Sequence, residues 1–160
     1  MEIHENESIN ALSNDFVEVI YNPYKKYLKF NWKSYVKQLT VSEAFEISKK
    51  VFNFIVKYKP KYFLQDISQI SFAYTDEYIN WVITEFSPYL SKLGVKKIAY
   101  VVPCEIITKV GIEILNKLAQ EKSKEVKRLV EENLAKAELW LFEDKSNDKK
   151  LFTDNNNNKT

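Results

Sequence analysis

Between residues 15 and 32 the chain reads "DFVEVIYNPYKKYLKFNW", two runs with the alternation of half-buried strands on either side of Asn22-Pro23-Tyr24-Lys25. Pro23 presets the backbone angle at the second position of a turn, so the segment predicts a β-hairpin. The period then changes. Thr40-Val-Ser-Glu43 is a capping box, and Ala44, Ile47, Val51, Phe54, Ile55 and Tyr58 recur on one helical stripe behind it. Pro60 disfavours helical geometry in the residue before it, which ends that helix at about Lys59. Tyr62 to Ile67 is a third strand, passing into a polar elbow at Asp66 and Ser68.

Thr75, followed by Asp76 and Glu77, opens a second helix by placing an acceptor and two carboxylates at its positive end. Ile79, Val82, Ile83, Phe86 and Leu90 form its inner face, Ser87-Pro88 predicts a kink or restart, and Gly94 supplies the stop. "KKIAYVVP" is a continuously apolar fourth strand, central in a sheet, and Ile106 to Leu118 a third helix. In "EVKRLVEENLAKAELWLFED" periodicity alone favours helix, whereas an αβα pattern asks for a strand at Val126 to Val130 and a helix from about Asn133.

Helix two carries more apolar surface than one core face needs. Tyr78, Trp81 and Tyr89, with Glu85 among them, form a second stripe that predicts a contact face for a partner or an apolar ligand, or partial burial against a neighbouring element.

The ends differ from this pattern. Residues 1–14 and 144–160 are polar and lack a sustained period, so they are expected to be flexible tails around one domain at 15–143. The 160 residues suit a single core that buries about 70% of the unfolded chain's surface. A net charge of +2 gives no field that would gather nucleic acid. With one cysteine, no export signal and no apolar run near ~20 residues, the expectation is a soluble cytoplasmic protein with no membrane span.

Composition also narrows the chemistry. Gly94 and Gly111 are the only glycines, and neither sits in a phosphate-cradling turn. His4, the only histidine, lies in the N-terminal tail, which removes a Cys-His dyad and a Cys/His zinc site. Cys104 after Pro103 is either a thiolate at a helix start or, the preferred assignment, a small buried hydrophobe. Asp66, Asp76, Glu77 and Glu85 could act as acid and base or ligate a divalent ion, but turn, cap and solvated roles account for them better. No catalytic residue, metal or cofactor is expected.

The element order, hairpin, helix, strand, helix, strand, helix, strand, helix, resembles the STAS family, specifically its SpoIIAA-like or STAS/SEC14-like bacterial branch. "FLQDISQISFAYTDEY" resembles the family's strand-to-helix signature, "LGVKKIAYVVP" its next strand, and "NLAKAELWLFE" the closing Ala-x-x-Trp-Leu helix, over about Phe16 to Glu143. The resemblance implies a single-domain α/β protein of αβα type, a mixed sheet of about five strands with about four helices, and a short strand near Lys127 to Val130. In the family's anti-sigma antagonists a serine at the start of helix two is phosphorylated by a partner kinase. Thr75 matches that position, with Tyr74 where the family has Asp and Asp76-Glu77 where it has a small residue and Gly. A phosphate there would meet two carboxylates, so Thr75 is expected to be a plain N-cap. The functional expectation is a non-enzymatic interaction module, in a regulatory complex or homodimer, working through Tyr78, Trp81, Glu85 and Tyr89. The alternative, implied by the SEC14 side of the resemblance, is binding or sensing of a small apolar ligand or lipid.

Overall fold

The computed structural model describes residues 7–34, 39–70 and 74–143. The expected C-terminal tail at 144–160 and His4 lie outside the described residues. Six strands form one mixed sheet in chain order: β1 (Ile9–Ser13), β2 (Val17–Asn22), β3 (Tyr27–Trp32), β4 (Tyr62–Asp66), β5 (Lys97–Val101) and β6 (Lys127–Glu131). The first two pairings are antiparallel and the remaining three parallel.

Helix α1 (Val41–Tyr58) joins β3 to β4. A helical run of α2 (Asp76–Trp81), a π turn (Val82–Phe86) and α3 (Ser87–Lys92) joins β4 to β5. Helix α4 (Ile106–Lys122) joins β5 to β6, and α5 (Leu134–Phe142) follows β6. Each parallel connection advances by one strand in the same direction, and right-handed crossovers then stack α1, α2–α3 and α4 on the same face. The large core lies there, with Leu28, Phe30, Phe63 and Ile98 of the strands against Val51, Ile55, Phe86, Leu90 and Ile112 of the helices. Among the described residues the opposite face is covered by α5, which places Ala137 and Leu141 on Leu64, Ala99 and Val101.

The fold is thus α/β with four helical runs among the described residues, but its sheet has six strands rather than about five. The sixth comes from the segment expected to be a tail. Ile9–Ser13 pairs with β2, and Ala11 and Leu12 pack against the main core. Its register shifts between Asn10 and Leu12. Such a bulge breaks the alternation by which a strand is read, so "INALS" shows no strand period. Asn14 then turns the chain, its side-chain oxygen accepting from the Phe16 and Val17 amides at 2.8 and 2.9 Å. Deleting residues 1–13 should therefore cost on the order of 2 kcal/mol and lower Tm by about 5 °C. An unchanged Tm in a thermal melt would show that β1 adds nothing to the fold.

Local signals elsewhere behave as written in the sequence. Thr40 and Glu43 form the capping box, with the Thr40 amide donating to Glu43 Oε2 at 2.7 Å. Gly94 adopts φ +90° at the end of α3. Ser87-Pro88 marks the expected restart: α3 begins at Ser87 with Pro88 in its first turn, directly after the π turn. Proline lacks an amide and its ring crowds the carbonyl four residues back, and the π turn just before it absorbs this, with the Ser87 amide donating five residues back to the Val82 carbonyl. The ambiguous segment is strand then helix: β6 pairs parallel with β5, and Asn133 caps α5 by accepting from the Lys136 amide at 3.0 Å.

Candidate functional site

The elbow after β4 is a closed turn. Asp66 is buried, and its Oδ1 accepts from the Ser68 amide at 3.0 Å and the Ser68 hydroxyl at 2.6 Å. The Ile67 amide donates to the Val101 carbonyl at 2.8 Å, tying the turn to the next strand. One Asp66 oxygen is thereby occupied in holding backbone, the role of an Asx turn. Thr75 is exposed and caps α2, its hydroxyl accepting from the Tyr78 amide at 3.2 Å.

The second stripe of helix two does not form one contact face. Trp81 is buried, its ring 5.5 Å from Phe45, 6.1 Å from Phe52 and 5.5 Å from Phe86. Tyr78 is half-buried against Phe45 and Tyr74. Glu85 and Tyr89 remain exposed, with Lys92 over the Tyr89 ring. The expectation of Trp81 as a working surface is corrected by α1: Phe45, Ser48 and Phe52 form a second stripe on that helix, spaced by three and four residues, and this stripe covers the tryptophan.

Between the N-terminal ends of α1 and α2, over the carboxyl ends of β3 and β4, lies a crevice lined by Trp32, Phe45, Ser48, Gln65, Thr75 and Tyr78. A second cavity beneath it shares Ser48, Gln65, Tyr74 and Tyr78 and reaches Tyr100. Each has about 30 Å³ of room, enough for a water or two. The crevice joins two residues singled out in the sequence, Thr75 and Tyr78, to a polar group that sequence reasoning missed. Burial pushes the Tyr78 phenol well above its ordinary range, with Tyr100 adding to the effect and a hydrogen bond from Ser48 opposing it. Tyr100 is also raised by burial, against the opposing Arg128 guanidinium.

One apolar surface feature was not read from the sequence. Helix α4 buries Thr108, Ile112, Leu115 and Ala119, and on its other side exposes Ile106 (75%), Ile107 (79%), Val110 (44%), Ile114 (57%) and Leu118 (37%). A groove of about 270 Å³ runs beside this ridge, floored by Gly111 and walled by Tyr74 and Ile79. The signal was available: the nine aliphatic or small apolar residues from Ile106 to Ala119, Gly111 among them, are more than one core face can take. Cys104, just before α4, is a free and exposed thiol, which corrects the preferred assignment as a buried hydrophobe. It sits beyond the end of β5, where the chain has left the sheet.

Among the described residues no three His, Cys, Asp or Glu side chains come together to hold a metal ion, and no helix is long and apolar enough to cross a membrane. No family model, curated protein or solved structure matches the chain.

Proposed function

We propose that the chain is a non-enzymatic, STAS-like interaction module of the cytoplasm, and that its contact surface is the α4 ridge rather than helix two. The observation that carries this is the row of five exposed aliphatic side chains on one helix. Soluble monomers rarely leave such a contiguous patch to water unless something binds it. Covering a fully exposed aliphatic side chain is worth about 1.5–3 kcal/mol. The order of elements from β2 onward is the one that the STAS resemblance implies, and this supports the same class.

The SEC14-like alternative rests on the aromatic crevice between α1 and α2. Its space is far below the ~300 Å³ at which ligand pockets begin, so the geometry favours the surface. A photo-crosslinking amino acid at Ile114, with a control at the exposed Lys50 of α1, tests the proposal in the source cell. Adducts are expected at Ile114 and not at Lys50. Their absence at Ile114 would remove α4 as a contact surface.

A further inference from the structure

Resting on that reading of α4, we propose that the occupant of the ridge is a second copy of this chain, whose own α4 runs antiparallel across it. The ridge is flanked on one side by Lys109, Glu113, Lys117 and Glu121, one charge per turn with strictly alternating sign. Glu113, Lys117 and Glu121 are exposed, and Lys109 is held by Glu132 at 2.8 Å. This row is antisymmetric about its midpoint, level with Leu115.

A two-fold axis perpendicular to the helix brings the same flank of both copies together and reverses its order. Lys109 then lies opposite the partner's Glu121, and Glu113 opposite the partner's Lys117. All four positions meet opposite charge. A parallel two-fold would instead put this row of the two copies on opposite sides of the seam, where its charges do not meet. The same reversal sets Val110, Ile114 and Leu118 of one copy between the levels of their counterparts, so the ridges interleave. An arbitrary partner has no reason to find this row matched to it, whereas the chain itself supplies the match.

The size of the ridge sets the strength. Its exposures amount to about three whole aliphatic side chains per copy, and two copies with their flanking stems come to on the order of 1,000 Å², the lower end of specific interfaces. The dimer is therefore reversible, with Kd on the order of 10 μM.

Sedimentation equilibrium of the full chain across that concentration range tests this. The wild type should show a monomer–dimer equilibrium, and Ile114→Asp, at a position already exposed, should be monomeric with an unchanged Tm. Glu113→Lys turns two attractive pairs repulsive in the symmetric dimer and should weaken association about tenfold. Lys117→Glu should do the same. Mixing these two variants should restore a heterodimer, since every pair across it is again opposite in sign. That rescue cannot come from changes within one helix. A wild type that stays monomeric, a dimer indifferent to Ile114→Asp, or a mixture without rescue overturns the proposal. If crosslinks at Ile114 in the cell meanwhile carry a different protein, the interaction surface stands and only its occupant is wrong.

Discussion

Replacing Trp81 by Ala is expected to cost about 3–5 kcal/mol of folding free energy, with no specific effect on self-association. The indole is buried in a ring cluster built from two helices, with Phe45 and Phe52 of α1 on one side and Phe86 of the π turn on the other. Removing it leaves a void beside a cavity that it already lines together with Ser48, Val51 and Tyr78. To the extent that the neighbours do not close that space, a cavity term adds to the lost transfer energy. Tyr89→Ala is the matched control, because Tyr89 is half exposed and touches the same cluster only through Phe52 at 6.4 Å. It should cost less than about 1 kcal/mol. Urea unfolding of both variants decides between core and surface. A loss at Trp81 no greater than that at Tyr89 would return the second stripe of helix two to solvent and to the role expected from its spacing.

Why that stripe was misplaced shows where a sequence stops being readable. The hairpin, the two N-caps at Thr40 and Thr75, the stop at Gly94 and the buried strand β5, which has a neighbour on each side but lies next to the sheet edge rather than at its centre, depend on residues within a few positions of one another. Their chemistry is local. Trp81 needed a different kind of knowledge, since its cover comes from Phe45 and Phe52, some thirty residues earlier on another helix. The same holds in reverse for α4. Its apolar excess is written in the sequence, but which half of it faces the sheet depends on how β5 and β6 set the helix down. β1 was hidden for a local reason, the bulge between Asn10 and Leu12, and β6 because "KRLV" satisfies either period until its parallel partner β5 is in place. The elbow at Asp66 and Ser68 was legible as a turn and is one. One of its carboxylate oxygens holds the turn by accepting from the Ser68 amide and hydroxyl.

Raising the pH above 10 should unfold the protein steeply, with stability falling by as much as about 5 kcal/mol per pH unit. Besides Tyr21, raised by burial and then by Tyr58, four phenols are held protonated by the fold. Tyr27 is raised above the ordinary 10.0 chiefly by burial, then by the Glu138 carboxylate, to which its hydroxyl donates at 3.2 Å. Tyr74 is raised by burial and then by Tyr78 and Tyr100, Tyr78 by burial and then Tyr100, and Tyr100 by burial against the opposing Arg128. In the unfolded chain all four lose their protons near 10.0, while in the folded protein they keep them to higher pH. The unfolded state therefore binds fewer protons than the native state in that window, and stability must fall as pH rises through it. Below 10.0 both states are protonated and the contribution is complete. Each phenol adds up to about 1.4 kcal/mol per pH unit while its folded and unfolded states differ in protonation. Urea titrations at stepped pH give the slope, and near-ultraviolet tyrosinate absorbance counts the phenols released. Tyr78→Phe removes one titrating group from the interior and should make the slope shallower by up to about 1.4 kcal/mol per pH unit. If all the tyrosines ionise near pH 10 with the protein still folded, the polar interior beneath α1 and α2 is open to solvent and the packing that seals it is wrong.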